Sequence, residues 1–171
     1  MDALDCFERG CVARDAGRLS EAETFFEDAV NGDPNNAQYL AELGLVKSEL
    51  GSEEDALRLL AKASVLEPKT AAVQSGYGIV LFRCGHIEEA KLAFEKAVSL
   101  NPDAPEYYEN LGLALASLEQ FSEAETVFSR GLELAPDSAD LWHHKGTVLA
   151  ALGEKRRAAL CFRNADLFSG N

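Results

Sequence analysis

One interval organises this chain. Gly10, Gly44, Gly78, Gly112 and Gly146 stand 34 residues apart. Pro34, Pro68, Pro102 and Pro136 keep the same interval, as do Ala22, Ala56, Ala90, Ala124 and Ala158. Four places after each of those alanines comes a large apolar residue: Phe26, Leu60, Phe94, Phe128 and Phe162. Three places further on comes a small one: Ala29, Ala63, Ala97, Gly131 and Ala165. Several columns in one register mean a repeated supersecondary unit. Such a unit cannot bury its apolar face alone and does so by stacking on its neighbours. No strand-like alternation competes with this pattern.

Local chemistry divides each repeat into two helices. The column from Gly10 to Gly146 falls inside the first helix, where glycine costs about 1 kcal/mol relative to alanine. That cost implies a close approach by the second helix, with the Ala22 column as the matching small surface. The phenylalanine column is expected to fill the gap between repeats. Gly17, Gly51, Gly85 and Gly153 follow the first helices, where a left-handed residue ends a helix. Ser20 with Glu23, and Ser122 with Glu125, read as capping boxes opening second helices. Each periodic proline stops a second helix.

These columns resemble the tetratricopeptide repeat, a helix–turn–helix unit with this period. The resemblance covers residues 3–36, 37–70, 71–104, 105–138 and 139–171, and the run from Pro105 to Ala114 is especially close to the family's first helix. It implies an all-α fold, a right-handed α-solenoid of five repeats forming one domain over 1–171. Departures are Arg9 and Lys145 in an apolar column, Glu119 in place of a loop glycine, and a fifth repeat short of its last residues.

Composition narrows the function classes. The chain is 47% hydrophobic and 26% charged, as folded globular proteins are. Its net charge of −13 repels a phosphate backbone, so no nucleic-acid partner is expected. The longest uncharged run, Thr70 to Phe82, falls short of the roughly 20 apolar residues a membrane span needs. Membrane insertion is therefore not expected. Acidic residues at Asp2 and Asp5 do not suit a signal peptide. Cys6, Cys11, Cys84 and Cys161 show no disulfide framework; free thiols in a reducing, cytoplasmic compartment are expected.

Catalytic motifs are lacking. Gly76-Tyr77-Gly78 lies within a helical pattern with no strand before it, which is wrong for a dinucleotide loop. His143 and His144 are sequence neighbours and so do not share a helix face as metal ligands would. His86 falls at a turn. The acids Glu53-Glu54 and Glu88-Glu89 open second helices, where they complement the helix dipole. The chain is expected to be no enzyme and to hold no cofactor or metal.

The resemblance implies a groove lined by first helices. Transferred residue by residue, the lining is Phe7, Glu8 and Cys11; Glu42, Leu45 and Glu49; Ile79 and Phe82; Glu106, Glu109, Asn110 and Leu113; and Asp140, His143 and His144. Acids with apolar patches suit a peptide or helix carrying basic and apolar side chains. Where family members that grip a chaperone's C-terminal carboxylate place cations and asparagines, this chain has Phe7, Cys11, Glu42, Ala72 and Gly76, or Asn110, Asp140 and His144. Only Asn110 fits that clamp, and the ladder of asparagines found in a protein O-glycosyltransferase's repeats is missing apart from it.

The expected function is a non-catalytic scaffold for protein–protein interaction. Alternatives are a small acidic secretion chaperone of the same repeat class, or the substrate-recruiting part of a larger enzyme such as a protein glycosyltransferase. The fifth repeat alone is basic, and it lacks the polar helix that usually covers a last repeat. Leu160, Leu167 and Phe168 are therefore expected to meet either the remainder of a longer protein or, head to tail, the acidic first repeat of another copy.

Overall fold

The computed structural model describes residues 2–170. Among them the secondary structure is ten α-helices without strands. The helices are α1 (Ala3–Asp15), α2 (Leu19–Gly32), α3 (Ala37–Glu49), α4 (Glu53–Leu66) and α5 (Ala71–Arg83), then α6 (Ile87–Leu100), α7 (Pro105–Ser117), α8 (Phe121–Leu134), α9 (Ala139–Ala151) and α10 (Lys155–Ser169). Odd-numbered helices are the first helices of their repeats and even-numbered ones the second. The chain divides into two compact units, one ending at His86 and one beginning at Ile87. In the first, α1 packs on α2, α3 on α2 and α4, and α5 on α3 and α4. In the second, α7 packs on α6 and α8, and α9 on α8 and α10.

The turn inside each repeat has one geometry. Gly17, Gly51, Gly85 and Gly153 have φ between 72° and 86°. The next residue's amide reaches back across the helix end, from Arg18 to the Ala13 carbonyl at 2.9 Å and from Ser52 to Lys47 at 2.8 Å. The same bond joins His86 to Leu81, Gln120 to Leu115 and Glu154 to Leu149, each at 2.9 Å. This closure satisfies a carbonyl the helix end would otherwise orphan. Glu119 adopts the same turn at φ 59° without being glycine.

The turn also corrects the expected capping boxes. It delivers the chain straight into the second helix, so Arg18 and Gln120 occupy the N-cap positions and offer no side-chain bond. Ser20 and Ser122 lie one residue inside the helices; their carbonyls accept from the Thr24 and Thr126 hydroxyls at 3.1 and 3.0 Å. Side-chain caps stand instead before first helices. Asp2 accepts from the Asp5 amide at 2.8 Å. Asn36 accepts from the Gln38 and Tyr39 amides at 3.1 and 3.2 Å. Ser138 accepts from Leu141 at 3.3 Å.

The periodic columns meet within a repeat. A Cβ at Gly10 would stand 2.6 Å from the Phe26 ring, one at Gly112 2.4 Å from Phe128, and one at Gly146 2.7 Å from Phe162. Gly10, Gly112 and Gly146 are thus bare because the aromatic of their own second helix lies against them. This revises the expectation that the aromatic column serves mainly the gap between repeats. In the second repeat Leu60 replaces phenylalanine, 2.9 Å from the equivalent point on Gly44. Phe26, Leu60, Phe94 and Phe128 are all buried.

Connections between repeats are tied by side chains that periodicity did not single out. Tyr108 Oη donates to the Pro102 carbonyl at 2.9 Å, and Trp142 Nε1 to the Pro136 carbonyl at 2.8 Å. Gln74, in the same column, reaches the Pro68 carbonyl at 3.5 Å. Each spans six residues and satisfies the carbonyl of the turn-forming proline.

Candidate functional site

In the first unit the proposed lining residues occupy α1, α3 and α5, and they are not equally available. Phe7 is half-buried, stacked on Tyr39 at 4.8 Å and tilted against Phe26 at 5.7 Å. Its ring fastens the first repeat to the second. Glu8 and Glu49 are exposed, whereas Cys11, Leu45, Ile79 and Phe82 are half-buried. Burial pushes the Cys11 thiol up, against the lowering pull of Arg14. A raised thiol is a poor nucleophile at neutral pH.

Glu42 and Leu45 come together. With Gln38, Ala41, Ala72 and Val73 they line a cleft of about 440 Å³ between α3 and α5, to which Asn36, Glu67 and Thr70 also contribute. Its lining combines apolar side chains with two carboxylates, from Glu42 and Glu67. Glu67 and Asn36 escaped the sequence reading because they belong to connections between repeats, not to the first-helix positions transferred from the resemblance. The cue in the sequence was Asn36 as an N-cap residue.

Glu42 is not a free charge. Arg14 on α1 donates to its Oε2, and Arg14 also binds Asp15 at 2.9 Å. Its side chain is 22% exposed. Nearby, Lys47 Nζ holds Glu23 at 2.6 Å and Glu27 at 2.7 Å, joining α3 to α2. Arg83 on α5 donates to the Ser48 carbonyl at 2.8 Å and pairs with Glu53 at 3.0 Å. Acidity read from the sequence is therefore partly spent in fastening consecutive repeats.

In the second unit Glu106 and Asp140 are exposed, while Asn110 and Leu113 are half-buried. Glu109 Oε1 lies 3.3 Å from His144 Nε2, bridging α7 and α9. The His144 ring stacks on Phe128 at 5.7 Å, and His143 tilts against Phe162 at 5.5 Å. The two imidazoles, 6.0 Å apart and edge to face, thus rest on the aromatic column. Among the described residues no group of three or more His, Cys, Asp or Glu is placed to hold a metal ion, and no helix is long and apolar enough to cross a membrane.

Lys145, the basic residue in an apolar column, has partners. Its ammonium reaches Glu125 at 3.4 Å and lies 6.0 Å from the centre of the Trp142 ring. Glu125 also accepts from Arg157 at 2.9 Å, so one carboxylate ties α8 to α9 and α10. All four cysteines are free thiols, with Cys6 and Cys161 buried. Burial pushes the Cys161 thiol up, against the nearby cations Lys145 and Arg157.

Leu160 and Leu167 are 53% and 67% exposed, and Phe168 is half-buried. The two leucines do not sit on the face by which second helices receive the next repeat. The residues in their columns, Thr126 and Leu92 for Leu160 and Glu133 and Val65 for Leu167, are exposed in earlier repeats too. The receiving face holds Lys155, Ala159 and Asp166, where α8 has Phe121, Glu125 and Leu132.

Comparison with known proteins agrees with this architecture. Residues 77–139 match the family model described as tetratricopeptide repeat. A crystal structure of MamA superposes with a TM-score of 0.81 at 24% identity, covering 94% of each chain. A MamA fragment, 41 to the end, from Desulfovibrio magneticus RS-1 gives 0.84 at 20% identity, over 98% of this chain and 94% of that one. YrrB, described as a TPR protein with an unusual peptide-binding site, gives 0.77 at 21% identity, over 99% and 88%. No curated protein matches the chain by sequence. Likeness at these identities is likeness of fold.

Proposed function

We propose that this chain, a member of the tetratricopeptide repeat family, is a non-catalytic scaffold that binds a peptide or helix carrying basic and apolar side chains. The observation that carries the reading is the α3–α5 cleft. An apolar surface of Ala41, Leu45, Ala72 and Val73 lines it together with the carboxylates of Glu42 and Glu67. A lysine or arginine can lay its methylene stem on that surface and place its charge beside the carboxylates. The Gln38 side chain and the Asn36 Nδ2 group suit the backbone of a bound segment, while Asn36 Oδ1 caps α3 and the Thr70 hydroxyl donates to Glu67 at 2.7 Å.

Glu42 keeps this role beside Arg14, because a carboxylate has acceptor sites for two donors. The best test compares wild type with Glu42→Lys/Glu67→Lys on an array of immobilised peptides. Half of the array alternates Lys/Arg with leucine and half alternates Asp/Glu with leucine. Wild type is expected to select the basic half, and the variant to bind it at least roughly tenfold more weakly, as loss and reversal of a rim charge does. Equal retention on both halves, or retention unchanged by the reversal, refutes the reading. Circular dichroism establishes that the variant is folded.

A further inference from the structure

Two exposed helix stripes, one near each end of the chain, are complementary in charge and in the order of their apolar groups. On α1 the stripe is Leu4, Glu8, Val12 and Asp15, spaced four, four and three residues apart and therefore on one face. Leu4 and Val12 are 57% and 63% exposed, high for large apolar residues. On α10 the stripe is Arg156, Leu160, Arg163 and Leu167, spaced four, three and four. Among the described residues Glu8, Arg156 and Arg163 form no ion pair, and Asp15 has only its neighbour Arg14. One stripe alternates apolar and acidic groups, the other basic and apolar. Both have the same length, about 16 Å at 1.5 Å per residue.

We propose that α1 of one copy of this chain packs antiparallel against α10 of a second copy. The order of groups allows one register in which every position is matched. Asp15 faces Arg156, Val12 faces Leu160, Glu8 faces Arg163 and Leu4 faces Leu167. Parallel alignment sets apolar groups against charges instead. Ordinary stacking of a further repeat is disfavoured at both ends. Asp5 and Arg9 occupy columns filled elsewhere by Tyr39 and Leu43 or Tyr107 and Leu111, while Lys155 and Asp166 stand on the opposite receiving face. Asp5 and Arg9 pair with each other at 3.4 Å, and taking that pair out of water together with Lys155 and Asp166 would be costly. The side-by-side stripe contact avoids that burial. It is smaller than a standard protein interface, so the association is weak, concentration-dependent and sensitive to salt. It does not depend on the α3–α5 cleft.

Sedimentation equilibrium on the full chain tests this, from about 10 μM to about 1 mM, the range in which a small contact associates. Wild type is expected to gain mass with concentration and to lose the gain in high salt. Glu8→Lys/Asp15→Lys makes both stripes basic, and Arg156→Glu/Arg163→Glu makes both acidic. Each variant alone is expected to remain monomeric. Mixed in equal amounts they regain the association, because each then offers the stripe the other lacks. A merely misfolded variant cannot be rescued in this way. Wild type that stays monomeric throughout overturns the proposal, including wild type that instead sediments with anionic vesicles. Variants that associate like wild type also overturn it, as does a mixture that stays monomeric.

Discussion

At the scale of single residues, the most telling position is the one that breaks a column. Glu119 takes a left-handed conformation at φ 59°, in a turn where the other four repeats have glycine. An L side chain there costs roughly 1–2 kcal/mol. The backbone bond from Gln120 to Leu115 holds the turn despite that cost. Glu119→Gly is therefore expected to stabilise the protein by about 0.5–1 kcal/mol, the strain relieved less the added freedom of the unfolded chain. Urea denaturation should show a higher midpoint at unchanged slope; a lower midpoint would mean that the turn is not strained. Lys145 teaches the converse lesson. It is a charge in an apolar column, yet Glu125 and the Trp142 ring make it a fastening between helices.

At the scale of elements, three repeats are held by an aromatic ring on a bare patch of helix, at Gly10, Gly112 and Gly146. The cost of filling that patch depends on how far its neighbour can yield. Gly112→Ala places a methyl 2.4 Å from the rigid Phe128 ring. The gain in helix propensity is about 1 kcal/mol, and overpacking costs roughly 1–3 kcal/mol or more. A net loss of up to about 2 kcal/mol is expected by these terms. Combining it with Phe128→Leu should recover part of the loss, because the second repeat already pairs Gly44 with Leu60. Strict additivity in this double-mutant cycle would show that the two positions do not meet. The pairing also explains why glycine persists inside first helices despite its poor propensity.

At the scale of the whole molecule, the charge of −13 works against compactness. Many of the acids are offset locally, as Glu23 and Glu27 are by Lys47. Such partly buried pairs are less screened by salt than the net repulsion is. Raising salt from about 10 mM to about 150 mM shortens the screening length from roughly 30 to 8 Å. At dilute protein concentration this should raise the urea midpoint, and a fall would mean that exposed ion pairs outweigh the repulsion.

The sequence alone determined that the chain is a run of paired helices. Its 34-residue columns are packing requirements, and packing requirements repeat wherever the same contact repeats. The turn glycines were legible for the same reason, since φ near +80° favours glycine over other residues. The partnership of Gly10, Gly112 and Gly146 with the rings of their own second helices was not legible, because a column records residue type and not which neighbour it faces. The pairing of Glu42 with Arg14 and of Glu109 with His144 was hidden as well. These contacts join residues 28 and 35 positions apart, on helices whose approach is set only when the repeats pack. Charge counted along the chain therefore overstated the free acidity of the candidate groove. Tertiary structure decided which carboxylates remain available to a partner, because only packing brings them beside the cations that neutralise them.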